Sequence, residues 1–409
     1  MAVVGPQVTI EELRAHFPAL RSGFAFFENA GGSQVPRQVL ERIGSLMTEG
    51  YVQTGAGYAA SDIVDQVVAE SKRFANVLVN GEGVGTAVVG PSTTDLLYRL
   101  ANTLAHTLEP GDEIVVSVTN HESNIGPWVR LAERGAVVKW WGVDRETGAY
   151  SYDQLASLLT EKTKVVAVAH TSNLLGDVLD ARRVVQMAHA AGALVVVDGV
   201  AFAPHSAVDV QVLGADFYAL SLYKVFGPHI AVLFGTDEAW SLVEGPNHFF
   251  LKGTPAKFEL GCQPYELLAG LLGTAEYLSF LAGSPRPRFD RPTVEDAFVR
   301  MRELERPVQE RIFGFLSSRS DVRLVGPRTA DQSARHPTFS FLHKTKSSDQ
   351  VASAVNRDSV GIRYGHMYAA RLCEALGAPL DTGFVRASAV HYNTVEEADR
   401  LVSMLEKAL

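Results

Sequence analysis

Lys224 stands in the run ADFYALSLYKVFGPHIAVLFG, where almost every neighbour is apolar. Lysine is among the residues least often buried, and an unpaired ammonium in an apolar site gives up its proton or costs the fold heavily. Either the side chain snorkels to water, or the protein keeps an uncharged, nucleophilic amine there. Other polar groups fall at comparable places. Asp198 ends VVVDG, Ser92, Thr93 and Thr94 open STTDLL, His121 lies in TNHESN, and Asn173 lies in AHTSNLLG. Taken singly, each has an ordinary explanation as a turn aspartate, a helix cap, a structural histidine or a loop amide.

The elements that would position these residues alternate from about residue 86. Short β-branched runs (TAVVG, DEIVVS, AVVKWWGV, KVVAVAH, ALVVVDG, ADFYALSLY) are followed by longer amphipathic ones (STTDLLYRLANTLAHTL, SNIGPWVRLAERG, SYDQLASLLTEK, LDARRVVQMAHAAG). The pattern implies a mostly parallel sheet covered on both faces by helices, and the strands are continuously apolar as that arrangement requires. The link between FYALS and IAVLFG is too short for a parallel crossover. Those strands are therefore antiparallel neighbours or do not pair, and Lys224 lies in the link. Leu281–Pro292, rich in proline and arginine, reads as a boundary. The expected organisation is an N-terminal segment 1–17 packing on the small domain, a large domain 18–283 and a smaller α+β domain 284–409, closed by a helix with Thr394 as its N-cap.

The chain has 409 residues, 46% of them hydrophobic and 20% charged, with a formal charge of −9, so no basic nucleic-acid surface is indicated. Its two cysteines, Cys262 and Cys373, form no metal-ligating or disulfide pattern. The N-terminus lacks the build of a signal peptide and no run is long enough to span a membrane, so a cytoplasmic protein is expected.

If the alternation holds, the carboxyl ends of the strands bring together an amine, a carboxylate, an imidazole, an amide and a helix N-terminus able to hold phosphate. The amine, the carboxylate and the phosphate site among them are what pyridoxal phosphate needs. GEGVG, Gly81 to Gly85, precedes a strand and lacks the dinucleotide order, and no GxxxxGK[ST] occurs.

The block VVVDGVAFAPHSAVDVQVLGADFYALSLYKVFGPHIAVLFG resembles the core of class V aminotransferases, in the cysteine desulfurase and selenocysteine lyase branch. FFENAGGSQVP, STTDLLYRLA, NHESNIGPW, AHTSNLLG, FELGCQPYE and VRASAVHYNTVEEADRL extend the likeness over nearly the whole chain. The resemblance implies the fold type I architecture of pyridoxal-phosphate enzymes. It implies that Lys224 carries the cofactor as a Schiff base, Asp198 pairs with the ring nitrogen, His121 stacks on the ring and Asn173 reaches the ring hydroxyl. Thr93, Thr94 and Ser221 would hold the phosphate, with Ser92 and Tyr223 beside them. Arg386 would fork the substrate carboxylate, near Ala30, Gly31, Tyr364, His366 and Tyr368. It also implies a homodimer with shared sites, in which ELGCQ, with Cys262, is lent by the partner subunit.

The sequence departs from that branch at four places. Tyr368 stands where the desulfurases carry their nucleophilic cysteine, and Cys373 follows inside an expected helix. Tyr223 replaces a histidine, Ala201 a glutamine and Cys262 a threonine. The expected reaction acts at the α-carbon of an amino acid or amino-acid-like metabolite, by β-elimination of the C–S lyase type without a persulfide relay. An aminotransferase or epimerase is the alternative, and a non-catalytic protein of this fold is the alternative from another class.

Overall fold

The computed structural model describes residues 8–357 and 359–409. The strand β1 (Ala25–Phe26) is only two residues long. Then β2 (Gly85–Gly90), β3 (Glu113–Ser117), β4 (Val137–Trp141), β5 (Thr163–Ala169), β6 (Leu194–Asp198), β7 (Phe217–Ser221) and β8 (Ala231–Thr236) build one seven-stranded sheet. Its order is β2-β8-β7-β6-β5-β3-β4, parallel throughout except at β8, which runs antiparallel to both β2 and β7. The short link after β7 therefore makes an antiparallel pair, with Ser221 opposite Ala231.

Side chains alternate across a strand, so both faces must be apolar when helices cover both. Val195 and Val197 of β6 join one core with Val166, Val168, Tyr218 and Leu220, while Val196 joins the opposite core with Val165, Ala167, Phe217 and Ala219. Before the alternation read from the sequence, the structure adds the helices Arg37–Glu49 and Ala59–Val79, and a third, Tyr265–Leu281, packs on both. That third helix is buried on nearly all sides, so its apolar residues show no stripe. SNIGPWVRLAERG departs from the expected helix. It forms a 3-10 turn, a four-residue helix Gly126–Val129 and a second 3-10 turn, because Gly126 and Pro127 interrupt it.

A second, antiparallel sheet follows. β9 (Val322–Leu324), β10 (Thr338–His343), β11 (Val360–Gly361), β12 (Arg363–Gly365) and β13 (Phe384–Ser388) complete the strand list, and the four-stranded order is β12-β13-β10-β9. β11 instead pairs in parallel with β1, which draws residues 25–28 onto this sheet, where Glu28 bridges to Ser388. Ala25 and Phe27 accordingly belong to the small core, with Phe339, Val385 and Leu401. The helix Arg291–Ser318 serves both cores, the first through Val294, Phe298 and Met301, the second through Val308, Ile312 and Leu316. Thr394 caps the last helix, Val395–Ala408, in a capping box with Glu397.

The helix Ile10–Arg14 sits at the junction rather than on the small core alone. Arg14 donates to the Tyr392 carbonyl and to Glu397, while Leu13 and Phe17 enter the large core. Residues 1–7 of the expected N-terminal segment lie outside the described residues. Among the described residues no helix is long and apolar enough to cross a membrane, and no cluster of metal-ligating side chains occurs.

Gly199 follows Asp198 where the chain passes the buried Tyr218 ring. A Cβ there would lie 2.1 Å from two ring carbons. A rigid ring in a packed core cannot yield that distance, so Gly199→Ala is expected to cost about 1–3 kcal/mol. Urea unfolding checks this; an unchanged midpoint would contradict the packing described.

Candidate active site

The carboxyl ends of the parallel strands, together with the β7–β8 link, converge on one cleft of about 560 Å³, measured out to its mouth. Ser92, Thr93 and Thr94 reach it after β2, His121 after β3, Asn173 after β5, Asp198 from the end of β6, and Ser221, Tyr223 and Lys224 from the end of β7. Ser123, Ala169, Thr171, Val200, Ala201 and His229, to which the sequence gave no cofactor-holding role, also line it.

Lys224 ends a 3-10 turn directly after β7 and is 7% exposed. Burial lowers its amine to about 8; the nearby Arg386 acts in the same direction, while Asp198 and Glu28 oppose it. The lysine of the apolar run is thus buried and weakened as a base, rather than snorkelling. Asp198 is buried too, and burial pushes its carboxyl upward against the opposing influence of the Val200 N–H and of Lys224. Its Oδ1 accepts the Val200 N–H at 3.0 Å. His170, stacked flat on Phe202 at 3.6 Å, donates its backbone N–H to the Asp198 carbonyl and fixes the end of β6 from behind.

Ser92 caps the helix Thr93–Leu104 by accepting the Asp95 N–H, which leaves the first helical N–H groups of Thr93 and Thr94 facing the cleft. The Thr93 and Ser221 hydroxyls meet at 2.7 Å beside them. Free N–H groups, two hydroxyls and the positive end of a helix make an anion cradle. The Nδ1 of His121 accepts the Ser123 N–H at 3.1 Å, so the proton of the neutral ring belongs on Nε2. Burial, with the charges of Lys224 and Arg386 adding, lowers this imidazole to about 3 and keeps it neutral.

Asn173 donates to the Met367 carbonyl at 2.9 Å, while its Oδ1 is buried without a partner. An orphaned amide oxygen in this cleft fits a polar ring substituent. Arg386, on β13, is 2% exposed and donates through Nη1 to the Asn173 carbonyl at 3.1 Å. Ala30 is held by its N–H on the Ser388 hydroxyl, next to Gly31. Ser33, in the same loop, bonds the Tyr223 carbonyl through both its N–H and its hydroxyl, and accepts the Phe226 N–H.

The remaining candidates stand farther out. The Tyr368 ring lies 5.3 Å from that of His121 and is 62% exposed; Tyr364 is exposed as well, and His366 accepts the Tyr368 N–H. Met367 and Tyr368 both hold positive φ, a conformation that non-glycine residues adopt at a cost. Cys262 does not line the cleft. It is exposed, with its thiol 3.2 Å from the Tyr265 hydroxyl. Cys373 is fully buried inside the helix Ala370–Ala375, and burial pushes its thiol up to about 12.

A buried amine, a buried carboxylate, an anion cradle, a neutral imidazole and an unpaired amide oxygen fit pyridoxal phosphate group by group.

Comparison with known proteins agrees. Residues 25–401 match the family described as "Aminotransferase class-V". The chain is 38% identical over 411 residues to the "Aminotransferase-like protein FGM3" of Gibberella zeae, covering 98% of each. It is 31% identical to the "Cysteine desulfurase-like protein ustD" of Aspergillus flavus, covering 98% of this chain and 90% of that one. Among solved structures, an apo cysteine desulfurase from Thermococcus onnurineus NA1 superimposes with a TM-score of 0.87 at 26% identity, over 98% of both chains. The α/β architecture is that of fold type I. The chain belongs to the class-V aminotransferase family and is a pyridoxal-phosphate-dependent enzyme.

Proposed function

We propose that this enzyme acts at the α-carbon of an amino acid or amino-acid-like metabolite and catalyses β-elimination of the C–S lyase type, without a persulfide relay. The observation that carries the reading is the pairing of a buried, weakly basic Lys224 with a mouth that presents Tyr368 where the desulfurase pattern has its cysteine. The relatives named as desulfurases supply the reaction class. The buried Cys373, with its raised thiol, supports leaving the relay out, because the thiolate is the reactive form and burial removes it.

When bound, pyridoxal phosphate supplies an aldehyde that condenses with amines and a ring that draws electrons from the substrate α-carbon. The chain's own residues do the rest. Thr93, Thr94 and Ser221 would hold the phosphate on the helix start, and Asp198 would hold a positive ring nitrogen, an interaction that also favours its own charged form. His121 would stack on the ring as a neutral imidazole. Arg386 orients the substrate carboxylate. Lys224 would take the proton from the α-carbon, since an amine near 8 is a better matched base at neutral pH than an ordinary lysine. Tyr364, His366 and Tyr368 stand at the mouth as donors toward a leaving group.

We further propose a homodimer. Phe249, Phe250 and Leu260 are exposed apolar residues on the segment that ends at Cys262, which supports a covering second copy there.

Only the uncharged amine is nucleophilic. Its neutral fraction rises with pH through about 8, so the rate of cofactor uptake by cofactor-stripped protein is expected to rise tenfold per pH unit below that value and level off above it. Stopped-flow absorbance gives the profile; a rate still climbing steeply beyond pH 9.5 would contradict the weakened amine.

A panel of L-amino acids tests the reaction. Release of a 2-oxo acid and ammonia in equal amounts is the expected outcome, and the Cys373→Ala variant should match the wild type within about twofold. Conversion of the cofactor to its amine form would instead indicate an aminotransferase, and α-proton exchange alone an epimerase. A tenfold loss in Cys373→Ala would restore a role for that thiol. A protein that binds the cofactor and alters no amino acid would favour the non-catalytic reading.

A further inference from the structure

Arg386 is a nearly fully buried cation whose partners are few. Nη1 is taken by the Asn173 carbonyl, Nε has no hydrogen-bond partner, and Nη2 meets the Glu28 carboxylate at 3.7 Å. That last distance is an ion pair without a hydrogen bond. The same Glu28 oxygen, Oε1, accepts a bond from Arg363 Nη1 at 2.9 Å. Arg363 and Arg386 are register partners on β12 and β13, so two guanidinium groups share one carboxylate.

Glu28 reaches this place by construction. The β1–β11 pairing and the bridge to Ser388 bring residue 28 alongside β13. Its side chain then lies over Gly31, where a Cβ would come 2.3 Å from Oε1. Any larger residue at 31 would push the carboxylate away from the arginines. Glu28 is 40% exposed and Arg363 51%, whereas Arg386 is 3% exposed in its side chain. The carboxylate and its outer partner can therefore move, while the inner arginine cannot.

Nε and Nη2 form the side-on edge of the guanidinium, the edge on which a carboxylate makes two parallel bonds. Glu28 stands beside that edge and does not complete those bonds. We propose that Glu28 is a displaceable counter-ion of Arg386 that sets the affinity and selectivity of the site for carboxylate ligands. An incoming α-carboxylate takes the Nε/Nη2 edge, and Glu28 withdraws onto Arg363. This rests on the assignment of Arg386 to the substrate carboxylate made above. Before substrate arrives, Glu28 compensates the buried charge, and its like charge sets a threshold that weak anions do not pass.

The test uses the holoenzyme and two probes that differ only in the carboxylate, L-alanine and L-alaninol, titrated against the absorbance of the bound cofactor. In the wild type, L-alanine should bind more tightly than L-alaninol. Glu28→Gln keeps the shape and removes the charge. It should tighten L-alanine by about 1.5- to 5-fold, the range expected of a partly exposed charge pair, and leave L-alaninol unchanged. Arg363→Gln takes away the second berth and should weaken L-alanine alone. Unchanged or weaker L-alanine binding in Glu28→Gln overturns the proposal, as does an equal gain for both probes. Arg386→Gln separates the two levels. If it leaves L-alanine binding intact, or if the wild type does not distinguish the probes, the carboxylate assignment itself falls and the role of Glu28 falls with it.

Discussion

An amine carried by the last turn of a buried strand loses the water that would keep it an ammonium. At Lys224 this desolvation is the largest influence, and Arg386 adds to it. Asp198 and Glu28 act against it and do not restore an ordinary lysine. Had the compensation been complete, the amine would remain an ammonium in a buried salt bridge and no nucleophile. Incomplete compensation leaves an amine of which about a tenth is uncharged at pH 7, far more than of an ordinary lysine.

The surrounding structure can be read as what holds that amine in place. The antiparallel turn from β7 to β8 keeps residues 222–230 short and tied to the sheet, with the Leu222 N–H on the Ile230 carbonyl. Ser33 clamps the Tyr223 carbonyl from a segment that the β1–β11 pairing delivers. Phe226 completes the turn at φ 58°, a strained value for an aromatic residue, and is packed against His391 and Phe17. The segment that steadies this turn also bridges, through Glu28 and Ser388, to β13, which carries Arg386. The amine and the carboxylate-binding cation therefore share one framework, although they come from different sheets.

The sequence made the cleft legible where a residue broke the pattern around it. Lys224 and Asp198 interrupt continuous apolar strands, and Ser92 to Thr94 open a helix straight after one. The antiparallel step at β8 followed from a link too short to cross over. The strand order did not follow, because nothing local states that β3 lies between β5 and β4. The helix Tyr265–Leu281 escaped notice because it is apolar on every side, and the break at Gly126–Pro127 was hidden by good helical spacing around it. Glu28 lies in FFENAGGSQVP, but nothing in that stretch marks it as a counter-ion. Its meaning depends on two arginines far along the chain and on a glycine three residues away, and only the folded small sheet assembles them.

The central claim is that Lys224 is the amine that holds the cofactor. Treating the purified holoenzyme with borohydride, digesting it and locating the modified peptide by mass spectrometry tests this directly. The account predicts a pyridoxyl group fixed on residue 224 in near-stoichiometric yield. A modification on any other lysine, or none in a protein that retains bound cofactor, would contradict it.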